Sequence, residues 1–571
     1  PFDEFTVKQI GGDLLPDPTR KDILATAFNR NHPFNGEGGK IVEETRVNNV
    51  FDRVETVGTA WLGLTLNCSR CHDHKFDDIS QKEYYQLYSY FNQTSESGKG
   101  SSGMIPPLLD MSPEEDRKKL EDLKAYLQEV AARIDQVELT KFPRKEGEPA
   151  SHSAEIQAAA GNFFNAFDDL AFDRANYQLK QIYNFFKTKD PEYAGMIDDL
   201  SKTRAAHDKQ AGNNLMVMVM DQLETPRPNH ILTKGNYASL EEGVFPDVPS
   251  VLPPLPEDMP NNRLALAQWL VSRENPLSAR VTINRYWQSF FGAGLVKTSE
   301  DFGVQGALPT HPELLDWLAV DFQESGWDLK ALFKKIVMSA TYQQSSRVTE
   351  ELLEADPENK LLARATRMRL PSWMLRDQAL FASGLLVDSL GGEPVKPYQP
   401  SGIWEEATFG KRKYEQGHGD DLYRRTLYTF WRRIVGPTML FDNSSRQVCE
   451  VKSTRTNTPL HALTTLNDIT YAEAARVFAS NILAEKKSDD ERMNRMFEVL
   501  TSRKPGSREL KILHQRLEDL RDQFAAQPQE AKKLISVGEY QNKHSLDQVD
   551  HAAYTVLCSV VMNLDETITR Q

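Results

Sequence analysis

Cysteine is scarce, with four residues in a chain of 571. Cys449 and Cys558 stand far from each other and from the other two. A disulfide framework is therefore excluded, and only a single Cys449–Cys558 bridge stays open. Long apolar runs are missing as well: none reaches the about 18 residues that a membrane-spanning helix needs. Nor is there an excess of basic charge. With 68 Lys and Arg against 82 Asp and Glu, the formal net charge is −14. That argues against nucleic acid as a partner, because neutralising phosphates takes clustered cations. The opening Pro1-Phe2-Asp3 lacks the charged n-region and apolar h-region of a secretory leader.

The one chemically distinctive string is Cys68-Ser69-Arg70-Cys71-His72, followed by Asp73-His74-Lys75-Phe76-Asp77. Cys-x-x-Cys-His is the attachment signature of c-type haem. The two thiols add to the haem vinyl groups, and the histidine coordinates iron from one face. Haem c is the expected cofactor, held by Cys68 and Cys71 with His72 as proximal ligand. The alternative is a zinc site made from Cys68, Cys71, His72 and His74. It would be cramped, because no second cysteine pair exists. Haem of this type is attached outside the cytoplasmic membrane. The motif thus implies a periplasmic or otherwise exported protein, and the abrupt start is expected to lie inside a longer, processed precursor. The second axial position separates an electron carrier from a catalyst. His32 is the preferred candidate for it. His74 is too near His72 to reach the opposite face, and His311, His418 and His461 are more remote candidates.

At 39% hydrophobic and 26% charged, with mean hydropathy −0.54, the composition suits a globular chain of roughly three to four domains. Apolar spacings of helical period dominate. The expected fold is mainly α and multidomain, with a small β module near 213–258 and long irregular loops near 391–460. Residues 1–110 read as a haem-binding helical domain and 111–210 as a helical hairpin arm. Residues 211–260 read as a small β module or connector, and 261–571 as a mostly helical domain with a loop-rich binding site. Val47, Val50, Phe51, Val54, Val57, Trp61 and Leu64 predict a helix running almost into Cys68, with Trp61, Leu64 and Leu66 as an apolar wall for haem. Ser80-Gln81-Lys82-Glu83 is a capping box. It opens a helix whose Tyr84, Tyr85, Leu87, Tyr88 and Phe91 pack either on a haem edge or in a plain core. Ser112-Pro113-Glu114-Glu115 starts the arm.

Two further sites compete. In Asn35-Gly36-Glu37-Gly38-Gly39 the glycines let backbone approach a ligand, and Glu37 beside His32 can do acid–base work. The plainer reading is a turn leading into a helix. Tyr423-Arg424-Arg425 and Trp431-Arg432-Arg433 can clamp an anionic, carbohydrate-like substrate, or pair with the chain's own acids. Cys449 reads as a buried, unactivated thiol. The function classes are therefore three. One is electron transfer or a haem-dependent oxidoreductase, possible on carbohydrate-like substrates. Another is a non-redox glycan-active enzyme using His32 and nearby carboxylates. The third is a binding or scaffold protein that uses the arm.

Several strings carry a resemblance. Phe28-Asn29-Arg30-Asn31-His32, the loop through Gly38-Gly39, Asp52-Arg53-Val54-Glu55-Thr56 and Cys68–Asp77 with Tyr84-Tyr85 resemble the first domain of the planctomycete-type cytochrome-c-associated proteins. Asn262-Arg263-Leu264-Ala265, Asn284-Arg285, Asp301-Phe302-Gly303, His311-Pro312-Glu313, Leu422-Tyr423-Arg424-Arg425 and Thr456-Asn457-Thr458-Pro459-Leu460 resemble the second. The resemblance covers nearly all of the chain except about 100–210. It implies export, a haem-linked role and, as partner, a redox protein or an N-terminal cytochrome domain. It supplies no substrate and no catalytic residues.

Overall fold

The computed structural model describes residues 1–99, 104–158, 164–432, 435–437, 439–442, 447–452 and 455–570. Arg433, part of the second arm segment and parts of the 391–460 loops lie outside the described residues. Among the described residues the chain is mainly helical, with 22 α-helices and three two-stranded antiparallel sheets. It divides into two compact units. The first comprises 1–16, 31–94 and 222–571, the second 17–30 and 95–221.

In the first unit, the helix Val42–Val57 buries Val47, Val50, Phe51, Val54 and Val57 on one face, as their spacing predicts. It does not continue to Cys68. It widens at Gly58–Leu62, and Gly63 reverses the chain at φ +61°, a conformation that favours glycine. A tight turn, Leu66–Arg70, then carries Cys68. The next helix, Gln81–Phe91, opens on the expected capping box. The Ser80 amide donates to the Glu83 carboxylate at 2.7 Å, and the Glu83 amide donates to Ser80 Oγ at 3.2 Å. Its aromatic stripe is core: the Tyr88, Tyr84 and Tyr85 rings lie 5.4, 6.0 and 6.3 Å from Phe51. Trp61, Leu64 and Leu66 are buried too, between 1% and 6% exposed, and Trp61 Nε1 donates to Thr6 Oγ1 at 3.0 Å. The expected haem wall is thus part of the protein's own interior, because helical periodicity reports burial without saying what is buried against.

The C-terminal part of this unit is a helical core in which Phe478, Met496, Leu517, Tyr554 and Leu557 meet. On the helix Gln548–Met562, Leu557 and Val561 are buried and Val560 is 41% exposed. Both Cys449 and Cys558 are free thiols. Asp489, at the start of the helix Asp489–Thr501, accepts from Arg492 at 2.9 Å, Arg521 at 2.8 Å and the Tyr554 hydroxyl at 2.8 Å. Burial raises its pKa, but these hydrogen bonds and the arginine charges outweigh burial and hold it at about 2.

Of the three strands in the 213–258 stretch, two pair with each other and one pairs outside it. Met216–Met218 pairs with Leu108–Asp110 in the second unit, and Asn229–Leu232 pairs with Leu240–Val244 in the first. Pro226 and Pro228 separate the first strand from the other two.

The second unit is built on the helices Glu114–Lys141, Asn176–Phe186 and Pro191–Asn213. Leu127, Val130, Ile134, Leu179, Ile182 and Ile197 form its core. Inside this core sits a charge pair with no exposed surface. Arg174 donates to both oxygens of Glu138, at 2.6 and 2.8 Å, and Tyr193 donates to the same carboxylate. Arg30 donates to the carbonyls of Val219 at 2.7 Å and Ile105 at 2.9 Å, which ties 17–30 to the rest of the unit.

Removing one member of a buried pair leaves a stranded charge, at about 3–5 kcal/mol. Glu138→Ala is expected to lower the opening free energy of the Val130 and Ile197 amides by that amount. Hydrogen exchange is the measurement, because this unit contains no tryptophan. For Asp489, a depressed folded pKa stabilises above the unfolded value and is lost as pH falls through the folded one. Asp489→Asn is expected to destabilise the chain near neutral pH. The gap to the parent should close between about pH 4 and the folded value of about 2, as read by denaturation curves across pH.

Candidate functional site

The segment 68–77 is an exposed turn held from beneath by buried polar side chains. Arg70, between the two cysteines, pairs with Glu55 of the helix Val42–Val57 and lies 4.3 Å over the Phe51 ring. Its carbonyl accepts from the Tyr85 hydroxyl at 2.9 Å and Gln81 Nε2 at 3.2 Å. Ser69 is fully buried, whereas Cys68, Cys71 and His72 are exposed. Cys71 Sγ donates to the Lys234 carbonyl at 3.3 Å. The turn thus buries its anchors and presents its reactive groups.

His72 Nδ1 lies 2.6 Å from the Asp73 carbonyl. A carbonyl only accepts, so the ring proton sits on Nδ1 and Nε2 carries the lone pair. Asp73 is fixed in turn, its carboxylate accepting from the Gln81 amide at 2.8 Å. His74 has a different fate. Its Nδ1 accepts from the Asp77 amide at 2.9 Å, its side chain is 5% exposed, and its amide bonds the Ile79 carbonyl. It is a turn-forming residue. Among the described residues no three His, Cys, Asp or Glu side chains gather to hold a metal ion, so the zinc alternative lacks a ligand set.

Two exposed free thiols and an adjacent histidine with a bare Nε2 are the donors that haem attachment requires. These residues fit the group. Trp61, Leu64 and Leu66, the expected apolar wall, are buried side chains.

The structure brings His32 to Asp52. The His32 ring is half-buried, with Nδ1 3.2 Å from the Pro33 carbonyl. Burial raises the Asp52 carboxyl pKa, and His32, then Arg53 and Arg70, act against that rise while Glu55 adds to it. Glu37 is exposed on its loop, where its amide bonds Asn35 Oδ1 at 3.0 Å. A Cβ at Gly38 or Gly39 would meet nothing within 4 Å, so no close backbone approach within the protein calls for those glycines.

Asp52 faces a second neighbour that sequence reasoning missed. Cys449 has its pKa raised, first by burial and also by Asp52, with Arg285 and a Thr56 hydrogen bond opposing. Nearly 400 residues separate positions 52 and 449, and no local pattern joins them. Arg424 and Arg425 of the arginine cluster, by contrast, find partners within the protein. Arg424 lies 3.9 Å over the Tyr428 ring and donates to the Glu393 and Ser389 carbonyls at 3.1 Å each. Arg425 pairs with Asp388. These two cations stitch the loop together, Arg424 through carbonyls and Arg425 through an acid.

Comparison with known families assigns both ends of this arrangement. Residues 1–96 match PSCyt2, a protein of unknown function (DUF1549), and residues 262–517 match PSD1, a protein of unknown function (DUF1553). The chain belongs to the family that pairs these two domains. PSCyt2 marks a cytochrome-associated protein, and its function is otherwise unknown. No curated protein and no solved structure matches the chain. Cys68–His72, His32 and Asp52 lie in PSCyt2, and Arg285 and Cys449 lie in PSD1.

The motif turn is pinned to PSD1 at its far end. Val304 donates its amide to Asp77 Oδ1 at 2.6 Å, and a Cβ at Gly303 would overlap that carboxylate. Gly303→Ala is expected to displace Asp77 and remove a charge-assisted hydrogen bond, at about 1.5–3 kcal/mol. Gly38→Ala should stay neutral. Tryptophan-monitored denaturation of the two variants measures the difference.

Proposed function

We propose that this PSCyt2–PSD1 chain is an exported electron-transfer protein carrying haem c at its surface, bound through Cys68 and Cys71 with His72 as axial ligand. The observation that supports this most is the His72 ring. The Asp73 carbonyl holds the Nδ1 proton, which leaves Nε2 as the ligating nitrogen and makes it more basic. Bound haem c would supply a one-electron iron couple. The chain's own contribution is to hold the donors. Glu55, Tyr85 and Gln81 fix Arg70, so the two flanking thiols stay exposed on a turn that cannot collapse inward.

In this reading His32 serves as a charge partner for Asp52, and neither His32 nor Glu37 has a catalytic step. An exposed attachment site suits exchange with a redox partner protein or a cytochrome domain, and the net charge of −14 favours a partner with a basic face.

The test is expression in a host that matures c-type cytochromes, followed by intact mass and a dithionite-reduced spectrum. One covalent haem and a sharp α band are expected. Cys68→Ser with Cys71→Ser should abolish both, and His72→Ala should keep the mass but shift the spectrum. His32→Ala should leave the spectrum unchanged. A folded parent protein with no covalent haem would refute the proposal.

A further inference from the structure

A cavity of about 560 Å³ opens in the PSD1 part of the first unit, away from any residue assigned above to haem. That volume is in the range of small-molecule sites, roughly 300–1,000 Å³. Its lining includes Arg455, Lys452, Glu300, Glu450 and Cys449.

Among the described residues, the cations of this region hydrogen-bond to neutral groups. Arg455 is half-buried, and its one hydrogen-bond partner among the described residues is the Met368 sulfur, at 3.0 Å. A thioether is a weak acceptor and carries no charge. Lys452 is exposed and reaches a backbone carbonyl, that of Lys297, at 3.4 Å. Beside Cys449 stands Arg285, which donates to the Thr59 carbonyl while its Nε is buried without a partner. Burial lowers the Arg285 pKa to about 10 and also lowers that of Arg455, and no carboxylate is among the groups acting on either. Arg174 and Arg263, by contrast, each grip a carboxylate with two nitrogens.

Desolvated guanidinium groups without a counter-charge are costly, and an oxyanion is what relieves them, since it accepts several N–H bonds at once. Glu300 and Glu450 on the same lining would repel a bare anion. They can accept hydrogen bonds from hydroxyl groups. The two sets of side chains together match one ligand chemistry.

We infer that this cavity binds a polyhydroxylated oxyanion of sugar size, with its carboxylate or sulfate against Arg455 and Lys452, its hydroxyls toward Glu300 and Glu450, and the Arg285 charge behind Cys449 adding to the field. The site stands independently of haem attachment. The Cys449 thiol is not a reactant in it, because burial and Asp52 keep it protonated. It does report on occupancy.

The experiment is equilibrium dialysis of the full chain against glucuronate, glucose 6-sulfate, inorganic sulfate and glucose. One equivalent of glucuronate or of the sugar sulfate is expected to bind, and the preferred one identifies the anionic group. Glucose should not bind, and inorganic sulfate should bind at least tenfold more weakly. Arg455→Gln should weaken binding at least tenfold. Lys452→Gln, at an exposed position that leaves the core intact, should weaken it severalfold. Bound ligand should also slow alkylation of Cys449, followed by peptide mass spectrometry. Retention of none of the probes, equal retention of glucose, or undiminished binding in both variants would overturn the inference.

Discussion

Arg263 has no exposed surface, and its guanidinium meets both carboxylate oxygens of Asp13, at 2.9 and 2.7 Å, and the Ile10 carbonyl at 2.8 Å. A charge buried this deeply is tolerable only with its partner in place, so the N-terminal helix and the first helix of PSD1 are obliged to meet. The approach is close. A Cβ at Gly11 would stand 2.9 Å from the Leu264 backbone, which is why the chain has glycine there. Asn262 then caps the PSD1 helix by accepting from the amides of Leu264 and Ala265. The first unit is organised around this contact.

The other strings that carry the family resemblance do similar joining work. Arg285 donates to the Thr59 carbonyl, the Phe302 amide bonds the Gly63 carbonyl at 2.7 Å, and Asp77 receives the Val304 amide. Within the loops, Arg376 is buried and donates to the carbonyls of Leu422 and Arg424 at 2.8 Å each, and Asp442 accepts from the Thr456 hydroxyl at 2.6 Å. In this protein those strings are joints. PSCyt2 and PSD1 complete each other's interior, and Asp52 of one domain reaches the environment of Cys449 in the other.

What was legible in the sequence follows from range. Capping at Ser80 and the apolar face of Val42–Val57 are set by neighbours a few residues away, and both appear as read. The haem-type turn was legible because its chemistry is contiguous in sequence. The roles of Trp61, Tyr84 and Tyr85 were not, since a buried aromatic looks the same whether it faces a cofactor or a helix. Arg424 and Arg425 misled for a related reason: a guanidinium that binds carbonyls across its own loop has the same composition as one that binds a ligand. The meeting of Asp52 with Cys449 and Arg285 had no local trace at all.

The Asp13–Arg263 pair spans 250 residues of chain. During synthesis at about 5–20 residues per second, Asp13 emerges on the order of tens of seconds before its partner. By the end of that interval the whole of PSCyt2 and the second unit have been made, while the face destined for Arg263 and Leu264 stays open to water. The second unit, with its own core, has what it needs to condense first. The motif turn at Cys68–His72 is then made before PSD1 arrives to pin it through Asp77.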